Sequence, residues 1–262
     1  MRDEPGRLIE TVLAPGIVRW TISHPRKRNA LTPAMLAAIE AGARALRGEI
    51  VVLDAAADPC FCAGFDLDAL PEGQVDAPAA DAPDAPLITA SAALQTCDAL
   101  VVAVVHGEVF GAGVELVAAC DVRLAAPGVR FTVPAARLGV VYHAAGVALL
   151  RRVFGPALAR RMLLAADGIT AEEAHRAGAL TGLHPPDELA RAGEELAARL
   201  RRGAPQSLRA HRDLLRALDR GGPTAEELAA HERARRVAYT SDDFREGRAA
   251  ARERRSPRFR GG

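Results

Sequence analysis

Lysine is almost absent from this 262-residue chain: Lys27 is the only one, and arginine supplies the rest of the 34 basic residues. Against 33 acidic residues this leaves a formal net charge of +1, so no global field recruits nucleic acid or an anionic membrane. Aromatic side chains are scarce at 4% while apolar residues reach 49%, so a large core has to be packed from alanine, valine and leucine. No apolar run approaches the roughly 18–20 residues of a membrane span. The opening MRDEPGRLIE is mixed and acidic, unlike a signal-peptide core. Four cysteines are present, and Cys60, Cys62, Cys97 and Cys120 lack metal-ligand spacing; Cys60-Phe61-Cys62 is too tight for an ordinary zinc or redox pair. They are expected to be buried thiols of a cytoplasmic protein without a metal. Ser23, Ser91 and Ser207 sit in no nucleophile elbow, and the chain has neither a Walker loop nor a dinucleotide fingerprint.

What is there is an α/β pattern. RLIETVLAPGIVRWTISHP predicts two strands joined at Pro15-Gly16. NALTPAMLAAIEAGARAL predicts a helix capped by Thr32 with Pro33 in its first turn. EIVVLDA and LVVAVV are short, continuously apolar strands of a sheet covered on both faces, with a helix at roughly 87–99 between them. Residues 71–86, rich in Pro, Asp and Ala, predict a mobile loop. DVRLAA and VRFTV are two more strands, separated by Pro127-Gly128, and from residue 144 the periodicity is helical almost throughout. The division expected is a core over 1–200 and a helical C-terminal region over 201–262.

Two stretches share one design. At Cys62-Ala63-Gly64-Phe65 and at Gly111-Ala112-Gly113 a buried strand runs into small residues, with a helix expected after each. Small residues let a backbone approach a ligand, and a helix start leaves N–H groups unpaired. Facing each other, the amides of Phe65 and Ala112 would form an oxyanion hole; alternatively these are two ordinary helix starts packed on a sheet. Just beyond lies Glu115, an acid among Val114, Leu116, Val117, Ala118 and Ala119. Either it is used, or it is a structural acid neutralised by an arginine such as Arg123.

HPRKRNALTPAM, FCAGFDL, VVAVVHGEVFGAGVELVAACDVRLA, VRFTVPAARLGVV, ITAEEAHRAGAL and the terminal SPRFRGG follow in that order. Together they resemble the crotonase (enoyl-CoA hydratase/isomerase) superfamily from about residue 7 onward. The resemblance implies a spiral of repeated ββα turns, a helical C-terminal trimerisation region, and a homotrimer or dimer of trimers. It implies an acyl-CoA thioester substrate, coenzyme A being part of that substrate and no separate cofactor being needed. By motif position it assigns the oxyanion N–H groups to Phe65 and Ala112, the latter where a glycine is usual. The catalytic acid falls on Glu115, Asp66 fixes the first turn, and coenzyme A contacts fall on Lys27, Arg28 and Ala63, with Arg254 reaching the nucleotide of a neighbouring subunit.

Two departures bear on the chemistry. Where hydratases of the superfamily carry a second glutamate, this chain has Ala135 after Pro134; water addition needs one group to take a proton and another to place or return one. Where they carry Pro-Gly, this chain has Tyr142-His143, able to hydrogen-bond a polar acyl group or deliver a proton. That segment resembles the methylmalonyl-CoA decarboxylase branch, although Phe65 stands where the branch has a histidine. The resemblance therefore implies decarboxylation of a methylmalonyl-CoA-type substrate, with Tyr142 orienting its carboxylate. The alternatives are hydration or double-bond isomerisation through Glu115 alone, and a protein that binds acyl-CoA without turning it over.

Overall fold

Apolar–polar alternation in the first segment gives β1 (Arg7–Ala14) and β2 (Ile17–Ser23), an antiparallel pair reversed at Pro15-Gly16, where Gly16 adopts φ +75°. The structure is a computed structural model, and it describes residues 5–69, 78 and 82–261. Helix α1 (Pro33–Ala45) begins as its sequence dictates: the Thr32 side chain accepts the Met35 N–H at 3.2 Å, and Pro33 takes a position that needs no N–H.

The chain then repeats one plan three times. β3 (Ile50–Ala55), β4 (Cys60–Cys62) and α2 (Ala85–Thr96) form the first unit. β5 (Leu100–Val105), β6 (Glu108–Phe110) and α3 (Ala112–Ala119) form the second. The third is β7 (Val122–Ala125), β8 (Arg130–Thr132) and the short α4 (Ala135–Leu138). In each unit the first strand joins one sheet and the second strand another. Among the described residues the larger sheet has the order β1-β2-β3-β5-β7-β10 and the smaller β4-β6-β8-β9, where β9 is Ile169–Thr170 and β10 is Gly182–Leu183. From β2 onward the larger sheet is parallel, which is why Val51, Val52, Leu53 and Val101 to Val105 are apolar without alternation and buried throughout. This is the α/β spiral of ββα turns that the resemblance implies.

Helices complete the chain: α5 (Ala144–Arg160), α6 (Ala171–Arg176), α7 (Pro186–Arg201), α8 (Pro205–Asp219), α9 (Ala225–Ala238) and α10 (Asp242–Glu253). α5 kinks at Gly155-Pro156, where Gly155 has φ +79°. α8 returns to the core through arginine. Arg216 pairs with Asp121 at 2.8 Å and donates to the carbonyls of Cys97 and Ala99, while Arg212 bridges Asp98 and Asp213.

Two expectations change, and a third falls largely outside what the structure describes. α2 starts at Ala85 rather than near 87, because Pro86 suits the first helical turn. Most of the loop expected at 71–86 lies outside the described residues. No helix follows Phe65 directly: Leu67–Ala69 makes a single 3₁₀ turn. Among the described residues, no helix is long and apolar enough to cross a membrane.

Candidate active site

The first of the two turns is held from a distance. Leu31 and Phe65 form a parallel bridge, with the Leu31 N–H donating to Gly64 O at 2.7 Å and the Asp66 N–H donating to Leu31 O at 2.9 Å. In such a bridge the N–H of the central residue faces the opposite side, so Phe65 turns its own N–H away from Leu31. The bridge, not a helix start, sets that direction. It rests on the turn at residues 24–29, where Asn29 is in the left-handed region (φ +57°) and fully buried. Its side chain accepts the His24 N–H and donates to the carbonyls of Ala56 and Cys60. The following acid is buried too: Asp66 accepts the Asp68 N–H at 3.3 Å and the Lys27 ammonium at 2.6 Å.

The second turn packs directly on the first. A Cβ on Gly64 would lie 3.2 Å from Phe110 O and 3.9 Å from Ala112 N, and one on Gly113 would lie 2.7 Å from both Cβ and Sγ of Cys62. Only glycine at these positions permits the approach, and Gly64 has the positive φ (+92°) that glycine tolerates best. The Gly111 N–H is bound to Thr132 O at 2.8 Å, and Gly111 O accepts the N–H groups of Val114 and Glu115. Ala112 is the first residue of α3, with no carbonyl one turn earlier in the helix to take its N–H.

All eight residues of α3 are buried, and Glu115 is 1% exposed. Arg123 does not neutralise it. That guanidinium donates to the carbonyls of Ala118, Cys120 and Ala179 instead. The partner of Glu115 is His143, whose Nε2 lies 3.0 Å from Glu115 Oε2. Tyr142 stacks on the His143 ring with centroids 5.3 Å apart, and its hydroxyl makes a long donation, 3.5 Å, to Gly111 O. Burial first, then the charge of Glu115 beside it, push the Tyr142 phenol well above its ordinary value, so it is a neutral hydroxyl at every pH of interest. Gly146 makes room for this cluster: a Cβ there would lie 2.5 Å from the Tyr142 ring, 2.7 Å from Glu115 Oε2 and 2.8 Å from His143 Nε2. Pro134, and with it buried Ala135, borders the same place, Pro134 Cδ lying 4.0 Å from a Cβ built on Gly111.

Residues 14–262 match the family model described as enoyl-CoA hydratase/isomerase. The chain belongs to the enoyl-CoA hydratase/isomerase family. It is 32% identical to the 2,3-dehydroadipyl-CoA hydratase of Escherichia coli over 254 residues, covering 94% of this chain and 95% of that one. It is 30% identical to the carnitinyl-CoA dehydratase of Salmonella arizonae over 226 residues, 81% of each. Among solved structures, the enoyl-CoA hydratase of Mycobacterium smegmatis superposes with a TM-score of 0.82 at 26% identity, covering 98% of this chain and 99% of that one.

Within this member of the enoyl-CoA hydratase/isomerase family, the predicted site residues divide into two groups. Phe65, Ala112, Glu115, Tyr142 and His143 come together around the two turns. Ala63 lies beside them and donates its N–H to Arg28 O at 3.1 Å. Lys27 is not a free cation; Asp66 and Asp68 hold its ammonium at 2.6 and 2.8 Å, so a phosphate would have to compete with two carboxylates. Arg28 is exposed at φ +49°, and Arg254, also exposed, ends α10 in the left-handed region. Sequence reasoning missed Asn29 and Gly146. The signals were an asparagine in a turn directly after Pro25-Arg26-Lys27-Arg28, and a glycine three residues beyond a possible helix cap.

Proposed function

We propose that this protein is an acyl-CoA enzyme that adds water reversibly to an enoyl-CoA thioester, with Glu115 as the carboxylate that moves the proton. The thioester oxygen sits between the N–H groups of Phe65 and Ala112. Glu115 takes a proton from water as the water oxygen bonds to the β carbon; the double-bond electrons move into the thioester as an enolate. The same proton then passes to the α carbon and the carbonyl re-forms, so one carboxylate closes the cycle. The observation that carries this reading is a carboxylate 1% exposed, one turn along the helix that Ala112 opens, with no arginine or lysine paired to it among the described residues. Relatives named as hydratases and a dehydratase support the same direction.

Decarboxylation finds no support in those relatives, and the electrostatics oppose it. A substrate carboxylate held by Tyr142 would lie beside the buried Glu115 side chain, which has no arginine or lysine paired to it among the described residues, so two carboxylates would share one apolar place. Double-bond isomerisation is the second reading. Ala135 offers no group to position a water, and a proton shift between the α and γ carbons needs one base only.

Liquid chromatography with mass detection of a panel of CoA thioesters separates these outcomes: gain of one water from a 2-enoyl-CoA, a new chromatographic peak of unchanged mass from a 3-enoyl-CoA, or loss of carbon dioxide from a malonyl-type thioester. Glu115→Gln is expected to lower turnover by about 10²–10⁴-fold. Ala112→Pro removes one oxyanion donor where a helix start tolerates proline, and is expected to cost about 10²–10³-fold. Thermal stabilisation by acyl-CoA with no change in any thioester would mean binding without catalysis. Trimer formation belongs to the same proposal: Leu215, Leu218, Leu228 and Val237 are exposed on α8 and α9, and light scattering would give the assembly mass.

A further inference from the structure

His143 does two jobs with its two ring nitrogens, and the first fixes the second. It is the N-cap of α5: Nδ1 accepts the Gly146 N–H at 3.1 Å. A nitrogen that accepts cannot carry a hydrogen, so the ring proton of the neutral imidazole is on Nε2. Nε2 in turn lies 3.0 Å from Glu115 Oε2, and the carboxylate has to be the acceptor. With both nitrogens engaged, His143 has no free site from which to give a proton to a substrate or take one.

We propose that His143 is a positioning residue, in place of the proton donor its sequence position suggests: it commits Oε2 of Glu115 to a permanent hydrogen bond and leaves Oε1 as the single oxygen through which protons pass. This rests on Glu115 being the base, and it deepens that reading. A donor on Oε2 favours the charged carboxylate, which has to be unprotonated at the start of each cycle. It also fixes the carboxylate rotamer, so that Oε1 is presented in one direction. Gly146 is part of the device, since its N–H sets the tautomer and its missing side chain leaves space for the Glu115–His143 contact.

Two substitutions separate the two jobs. Asn at 143 places an amide oxygen where Nδ1 now is and is itself a good N-cap, but it is too short to reach Glu115. Gln at 143 places an amide N–H near the position of Nε2 but gives up the cap. His143→Asn is therefore expected to keep nearly the parental melting temperature, lose about 10-fold or more in kcat, and move the acidic limb of kcat/KM to higher pH. The sign follows from the lost donor: without it the carboxylate protonates more readily, and activity fails sooner as pH falls. His143→Gln is expected to melt lower yet keep the parental acidic limb. Among the described residues, the titratable groups facing Glu115 are the Tyr142 phenol and the His143 ring, both in the segment leading into α5, and Asp84 acts on Tyr142 from the turn before α2. Tyr142 stays neutral and contributes no step to this range.

Infrared titration of the protonated carboxyl band, assigned by its loss in Glu115→Gln, gives the same comparison without any substrate. A band appearing at higher pH in His143→Asn than in the parent supports the proposal. An unshifted band and limb in His143→Asn, or equal shifts in both variants, would overturn it. Loss of the proposed hydration activity alone, with the band shifting as described, would overturn the function and leave this inference standing.

Discussion

At the scale of single residues, the site depends on what is absent at one position as much as on what is present at three. Gly146 is the space occupied by the Tyr142–His143–Glu115 cluster, and a methyl there would stand 2.5–2.8 Å from all three side chains. Because the neighbours are a stacked ring pair and a buried carboxylate, none can retreat cheaply. Gly146→Ala is expected to lower kcat/KM by about 100-fold through misplacement of Glu115. It should destabilise the fold by only about 1–3 kcal/mol, measurable by urea unfolding. The acid at 115 was legible in the sequence, because a charge in an apolar helix has to be explained. Its partner was not: Arg123 and His143 are both basic, and only folding shows that Arg123 spends its donors on carbonyls.

At the scale of elements, the two turns are pinned by chain segments distant in sequence. The strand β4 that leads to Phe65 is short and buried on all three residues, and Cys62 serves as a small apolar group that lets α3 approach. Burial pushes the Cys60 thiol up to about 11 and the Cys62 thiol up to about 12, because the thiolate would be a charge in an apolar setting. Both thiols are therefore protonated at neutral pH in the folded protein. Iodoacetamide at pH 7.5 is expected to leave all four buried cysteines unmodified in the native state and to label them after unfolding, as read by intact mass. Fast labelling of Cys62 in the native protein would mean that the contact between the two turns is loose. The strand–helix order and the Thr32 cap could be read from local pattern. The two-residue strands β9 and β10 could not, since they are too short for any period to register. The helix expected after Phe65 failed for a different reason. A bridge to Leu31, which no local rule encodes, holds the chain extended there.

At the scale of the whole molecule, one spiral places the second strand of each unit in a common small sheet, and the turns after β4 and β6 meet as a consequence. The C-terminal helices brace the larger sheet through half-buried ion pairs. Arg216→Ala would leave Asp121 without its guanidinium and strip a donor from the carbonyls of Cys97 and Ala99. A loss of about 3 kcal/mol is expected, seen as a lower denaturant midpoint, whereas removing the exposed Arg245–Asp242 pair should change little. The family and its ββα spiral were legible because several motifs fall in register along the chain. The reaction was less so, because it turns on how one carboxylate is partnered, and that contact joins residues 115 and 143 across two elements. The most direct measurement of the central claim is a crystal structure with an unreactive CoA thioester bound. The account predicts the thioester oxygen within about 2.7–3.1 Å of both the Phe65 and Ala112 nitrogens, with Glu115 facing the α carbon. A thioester oxygen held by neither amide, or a Glu115 side chain turned away from the acyl group, would contradict it.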